Sequence, residues 1–367
     1  MPPTVHRKLR LLTREHQEQG GRLELIYWAT GPEGPVRLVF TDCEPVFFVE
    51  RGVQTQSGRR RELKLKTPAG RPVDGVYFAT RRLLLDERER LRGQGHWPYE
   101  ADLRPEERFL MERFITAGVE VRGEPIEDQG VIELRNPDLR ACEVDFVPSL
   151  LSFDLESDGL EGALLSIACA GVGGERVWLV SSEPAPLGAQ CVPNQATALR
   201  LFLEHVAIAD PDLLIGWNVI DFDLSFLQRR CQELGVEFLL GRGGRRAQVI
   251  PAREQDRGGL ARVPGRLVMD GITTLRAATW TFERYSLEYV ARELLGRGKA
   301  IDQKALASAG TRGGSLRATP VPGSERNPID KVLRRSPGLR PLPSVNRHDS
   351  PCLLTARSAP QSSGILQ

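Results

Sequence analysis

Every aromatic residue of the chain lies before position 304. The last 64 residues hold none of the 23 Phe, Trp and Tyr, yet carry 8 of the 26 prolines, 10 Lys+Arg and 3 Asp+Glu. A segment of that composition cannot bury enough apolar surface to offset its ordering entropy. The foldable part of the 367-residue chain is therefore predicted to be 1–303, followed by a disordered basic tail over 304–367. The net charge of +2 divides at the same place, into −5 for 1–303 and +7 for the tail. No basic excess in the folded part announces nucleic acid.

Six cysteines, Cys43, Cys142, Cys169, Cys191, Cys231 and Cys352, lie far apart with no CxxC pair. Zinc spacing is absent, and reduced thiols in a cytoplasmic protein are the expectation. The stretch from Met1 to Gly20 is basic but lacks a signal-peptide apolar core. No apolar run reaches the roughly 18 residues of a spanning helix, so no membrane is expected.

The first third alternates in a strand rhythm. Leu23–Ala29, Val36–Phe40, Val46–Val49 and Gly75–Ala79 read as short strands between Gly and Pro turns. Arg59-Arg-Arg61 reads as a solvated loop. Arg81–Leu91 and Glu106–Ala117 carry apolar residues at helical spacing. Residues 1–145 are thus predicted to form a small α+β domain.

From about 146 the pattern is α/β. Leu150–Glu156, Leu164–Ala170 and Arg176–Ser181 are predicted strands, the last two joined by a Gly171-Val-Gly-Gly turn. Asn194–Ile208 is a helix, and Asp212–Trp217 is an apolar strand of the kind buried inside a sheet. Asp221–Leu234 is a helix stopped at Gly235, Arg266–Asp270 a strand, and Ser286–Leu295 a helix capped by Ser286 and stopped at Gly296. The sum is a mixed sheet with helices on its faces.

Asp154 and Glu156 stand two apart in one predicted strand, on one face and about 7 Å apart. Two carboxylates so placed repel unless a cation lies between them. Alone, Asp-x-Glu better describes a solvated strand end. A second element narrows the reading: Gly216-Trp-Asn218-x-x-x-Phe222-Asp223 follows the buried strand, about sixty residues later.

Phe-Asp-x-Glu followed by Gly-Trp-Asn-x-x-x-Phe-Asp resembles the first two exonuclease motifs of family B DNA polymerases. Tyr99–Thr116, Ile215–Val219, Gly265–Gly271 and Ser286–Asp302 resemble further stretches of bacterial members, in the same order. The resemblance runs to about Gln303. It implies a polymerase N-terminal domain over 1–145 and a ribonuclease-H-like 3′→5′ proofreading exonuclease domain over 146–303. In that fold the two motif strands lie side by side and bring three carboxylates together.

The resemblance further implies hydrolysis of a DNA 3′-terminal phosphodiester with two Mg²⁺ or Mn²⁺ ions. Asp154, Glu156 and Asp223 would be the catalytic metal ligands. Asn218, Phe222 and Ser157 fall in the matching motifs as contacts to a single-stranded or frayed 3′ end, although Phe222 equally suits core packing. Ser157 stands where the family usually has Thr. Asp270 matches a family position and reads as structural. A cytoplasmic, nucleoid-associated location follows, and a sliding clamp is a family partner expected to dock outside this stretch.

The family's third motif, Tyr-x-x-x-Asp, supplies a further carboxylate. Here no tyrosine follows Tyr289, and Gly298, Arg326 and Val345 stand four residues before Asp302, Asp330 and Asp349. The motif is missing where the composition changes, and so is the polymerase palm. A shifted reading frame in a GC-rich gene, from about residue 304, would explain both facts. Translation of the other two frames checks this; a genuine DNA-contacting tail is the rival. The chain is accordingly expected to lack polymerase activity and to be a weak nuclease at best, with a non-catalytic nucleic-acid-binding scaffold as the alternative.

Overall fold

The computed structural model of the protein describes residues 4–159, 161–184, 188–252 and 258–296. The tail over 304–367, with its proposed frame shift, lies outside them. The described residues form two units, one through Gly271 and one from Ile272.

In the first unit the chain begins β1 (Val5–Gln19), β2 (Arg22–Gly31), β3 (Gly34–Phe40), β4 (Val46–Glu50), β5 (Arg59–Lys66), β6 (Pro72–Tyr77), α1 (Arg81–Gly93) and α2 (Pro105–Met111). It continues with β7 (Gly118–Gly123), β8 (Pro125–Asp128), β9 (Val131–Arg135) and β10 (Asp138–Ala141). Seven of these strands form one sheet in the order β10-β7-β1-β2-β3-β9-β8, and β4-β6-β5 form a second. β2 is buried on both faces: Leu23, Leu25, Tyr27 and Ala29 enter one core, Ile26 and Trp28 another.

Three local features depart from the sequence expectations. β1 is the longest strand yet is strongly polar; its first half pairs with β7 and its second with β2, across a register shift at Leu11/Thr13. The triple arginine predicted as a loop instead opens edge strand β5. Charged residues suit a sheet edge, which they protect from further pairing. Arg60 and Arg51 each donate to the buried Asp74 at 3.0 Å, which holds the strand in place. Helix α2 ends at Met111, short of the predicted Ala117, because Phe114 turns left-handed (φ 54) and Ile115 N–H donates to Leu110 O at 2.9 Å. That closure normally takes Gly, and none is present to signal it.

The remainder of this unit comprises β11 (Leu150–Ser157), β12 (Leu164–Gly171), β13 (Arg176–Val180), β14 (Gln190–Val192), α3 (Gln195–Ala209) and β15 (Leu213–Gly216). A π-helical turn (Ile220–Leu224), α4 (Ser225–Glu233), β16 (Gln248–Ile250), β17 (Leu260–Arg262) and β18 (Leu267–Asp270) complete it. The mixed sheet runs β14-β13-β12-β11-β15-β18. β11, β15 and β18 are parallel neighbours, while β12 is antiparallel to β11 and β13. Period-two alternation sends Leu151, Phe153 and Leu155 into a core shared with Leu199, Phe202 and Val206 of α3 and Leu227 of α4.

Asn194 caps α3, its side chain accepting from Thr197 N–H at 2.9 Å. Asn194→Ala is expected to destabilise the chain by about 1 kcal/mol, read as a fall in the thermal midpoint. The seven-stranded sheet is tied to the turn before β16: the Arg245 guanidinium lies 5.2 Å from the Trp28 ring centroid and pairs with Asp128.

The second unit holds α5 (Gly271–Ala277), which starts at the junction, and α6 (Leu287–Leu295), capped by Ser286 and ended by left-handed Gly296 as predicted. Between them Trp280 stacks on Phe282 at 6.1 Å.

Candidate active site

The two parallel ladders among β11, β15 and β18 end at about the same level. β11 pairs with β15 from Leu150↔Leu213 to Ser152↔Ile215, and β15 with β18 from Leu213↔Leu267 to Gly216↔Asp270. Their carboxyl ends therefore bring Asp154, Trp217-Asn218 and Asp270 to one end of the sheet, where ligand crevices of open α/β sheets form.

Pairing of β11 with β15 stops at Ser152, because β15 ends and the chain turns away. Leu155 N–H finds a different acceptor, Asp223 Oδ1 at 3.1 Å. Asp223 reaches that position through the turn before it. Asn218 is left-handed (φ 58), a conformation Asn tolerates better than most residues. Residues 220–224 then form a π-helical turn, in which Leu224 N–H donates to Val219 O at 2.8 Å. Such turns recur at functional sites. Asp270 Oδ2 accepts from Ile220 N–H at 3.3 Å, so the end of β18 holds the start of this turn.

Asp223 is 1% exposed, and its carboxyl is pushed up to about 8. Burial is the main cause; the Asp154 charge adds to it and the Asp270 charge contributes, while the Leu155 N–H opposes. Without a cation Asp223 is therefore mostly protonated at neutral pH.

Asp154 and Glu156 are both exposed and project from the same face of β11. Ser157 is half-buried, and its hydroxyl donates to Gly159 O at 2.8 Å, closing the following turn. Asn218 is half-buried at its strained position. Phe222 is half-buried against the core, its ring 6.4 Å from that of Phe226.

Among the described residues, no three His, Cys, Asp or Glu side chains gather as a group able to hold a metal ion. The reason is directional: Asp223 turns inward to Leu155 N–H, whereas Asp154 and Glu156 project outward. Asp154 nonetheless lies near enough to Asp223 for its charge to raise the Asp223 carboxyl further.

One contributor escaped the sequence reading, and another was read there as structural. Asp270 holds the turn through Ile220 N–H, and its charge also raises the Asp223 carboxyl. Asp221, an unassigned position within the motif, has its Oδ1 accepting from Ala252 N–H at 3.1 Å and Gly259 N–H at 2.9 Å. A Cβ at Gly259 would lie 2.3 Å from that oxygen, so a larger residue there would displace the Asp221 carboxylate. No local spacing signals either contact, which span 31 to 50 residues.

The donor chemistry suits a hard divalent cation: all-oxygen ligands, with a buried acid beside an exposed one of like charge. Asp154, Asp223 and Glu156 are the residues that would hold it, and they do not gather as a complete group here.

A mixed sheet with carboxylates at the ends of its parallel strands is the frame of ribonuclease-H-like nucleases, a class that includes the polymerase-associated exonuclease domains. The model of the DNA polymerase family B exonuclease domain matches residues 97–290, more than half of the chain, and the chain belongs to that family. DNA polymerase II of Escherichia coli is 33% identical over 311 residues, which cover 80% of this chain and 39% of that protein. The DNA polymerase of Thermococcus kodakarensis is 32% identical over 156 residues, 41% of this chain and 9% of the relative. The family B DNA polymerase of Pyrobaculum calidifontis shares the fold, with a TM-score of 0.62 at 20% identity, covering 78% of this chain and 39% of that one. The chain thus spans about two-fifths of the E. coli relative.

Proposed function

We propose that this chain carries the 3′→5′ exonuclease part of a DNA polymerase and acts at a single-stranded or frayed DNA 3′ end. The observation that carries this reading is the buried Asp223 beside Asp154, at the ends of parallel β11 and β15. A bound Mg²⁺ or Mn²⁺ would lower the pKa of a water and stabilise the departing 3′-oxygen. Asp154 and Asp223 would hold it, with Glu156 on the same strand face. Leu155 N–H keeps Asp223 oriented, and Asp270 keeps the turn that bears it in place. Asn218 and the exposed part of Phe222 are placed to meet the last nucleotides, Phe222 by stacking on a base. Ser157 shapes the adjoining turn.

With few converging carboxylates the nuclease of this chain is weak, and the cation binds loosely. A location with chromosomal DNA follows, as does a sliding clamp for the longer relatives. Calorimetric titration with Mn²⁺ tests the reading. A single weak site, lost in Asp154→Ala and in Asp223→Ala, is expected; no heat from the parent chain, or heat unchanged in both variants, refutes it. Single-stranded DNA binding without any Mn²⁺ site would favour a non-catalytic scaffold.

A further inference from the structure

The three site-bearing strands raise a question of register. β15 is Leu-Leu-Ile-Gly and β18 is Leu-Val-Met ahead of its terminal Asp270, so both carry apolar side chains on both faces. Apolar alternation therefore does not choose among pairings two residues apart. The β11–β15 ladder spans three residue pairs and the β15–β18 ladder four. A two-residue slip would displace the strand ends by about 6.6 Å and separate the carboxylates.

At the opposite end of these strands lies a network whose charged groups are buried except at Asp210. The residues immediately before β11, β15 and β18 are Ser149, Asp212 and Arg266. Asp212 Oδ2 accepts from Ser149 N–H at 2.8 Å and its hydroxyl at 3.0 Å, while Asp212 N–H donates back to Ser149 Oγ at 3.0 Å. Arg266 donates to Asp210 Oδ1 at 2.8 Å and Pro211 O at 2.6 Å. Arg242 joins the halves, donating to Asp210 Oδ1 at 2.9 Å, Asp212 Oδ1 at 2.7 Å and Gly265 O at 2.8 Å. Arg242 is 3% exposed, Asp212 3% and Arg266 2%, and the two arginines balance the two aspartates. Each contact is directional and fits one register only.

We propose that this network, centred on Arg242, sets the register of β11, β15 and β18, and so positions the carboxylates about 13 Å away at the other ends of the strands. Its members are positioning residues that touch no substrate. The functional meaning rests on the nuclease reading above; the geometric claim does not.

Amide hydrogen exchange on the full chain tests it. Leu155 and Ile220 N–H report the site, since they donate to Asp223 and Asp270. The variant Arg242→Met/Asp212→Leu replaces one ion pair by apolar groups and leaves Asp210 paired with Arg266. It should unfold cooperatively, lose at least tenfold protection at Leu155 and Ile220, and keep parental protection in the β11–β12 ladder. A purely structural network would lower all these amides by one common factor, and that result overturns the proposal, as does unchanged protection. Should the double variant fail to fold, Ser149→Ala is expected to cost at least threefold at the same two amides; no change there refutes the idea. Failure of Mn²⁺ binding by the parent would overturn the nuclease reading and leave this result intact.

Discussion

Asp223→Asn is expected to stabilise the metal-free chain at pH 8 by a few kcal/mol, raising its thermal midpoint by several degrees. A free aspartate titrates near 4, whereas this one is pushed up to about 8, mainly by burial and then by Asp154. Between those values the folded chain binds a proton that the unfolded chain has released. Stability therefore falls as pH rises through that window, by about 1.4 kcal/mol per pH unit from this group alone. Below the window both states are protonated, and above it both are ionised with the full penalty present. Asn is neutral throughout and keeps an oxygen for Leu155 N–H. Thermal unfolding from pH 5 to 9 should give diverging curves for parent and variant, the gap widening towards pH 8. Parallel curves would show that Asp223 does not carry the perturbed titration. Mn²⁺ should narrow the gap at pH 8, because it stabilises only the protein that binds it.

Arg242→Met should be among the most destabilising single changes, at about 3–5 kcal/mol, because it strands a buried aspartate without its cation. Asp212 is 3% exposed and is held below the usual carboxylate range by Arg242, Ser149 and Thr30, against the opposing effect of burial. Adding Asp212→Leu should recover most of the loss, since a buried ion pair can be exchanged for apolar groups at little cost. Urea denaturation of the parent, the single variant and the double variant measures this coupling. A small loss in the single variant, or no recovery in the double, would mean that the network is not electrostatically closed. Recovery of stability with loss of protection at Leu155 would separate the strength of the fold from its register.

Much of the frame was legible before the structure. Alternation in Leu150–Glu156 exposed Asp154 and Glu156 together, because strand side chains have a strict period of two. Asn194, Ser286 and Gly296 marked helix ends through local chemistry that needs no partner elsewhere. The failures share the opposite character. β1 pairs through a polar sequence whose partners lie up to 118 residues away, and β5 is a strand because β6 is beside it. Neither pattern announces itself locally.

The site divides along the same line. Sequence alone singled out the residues proposed to carry the chemistry, Asp154, Glu156 and the Asn218–Asp223 motif, because type and spacing are properties of the chain. Only the tertiary structure decided which of them meet. It turned Asp223 inward through a left-handed asparagine and a π-helical turn, and left Glu156 outward on an exposed face. It also brought in Asp270 and Asp221 across 50 and 31 residues and placed a charged network at the far ends of three parallel strands. The physical reason is that burial, like-charge proximity and strand register arise between segments, and no single segment encodes them.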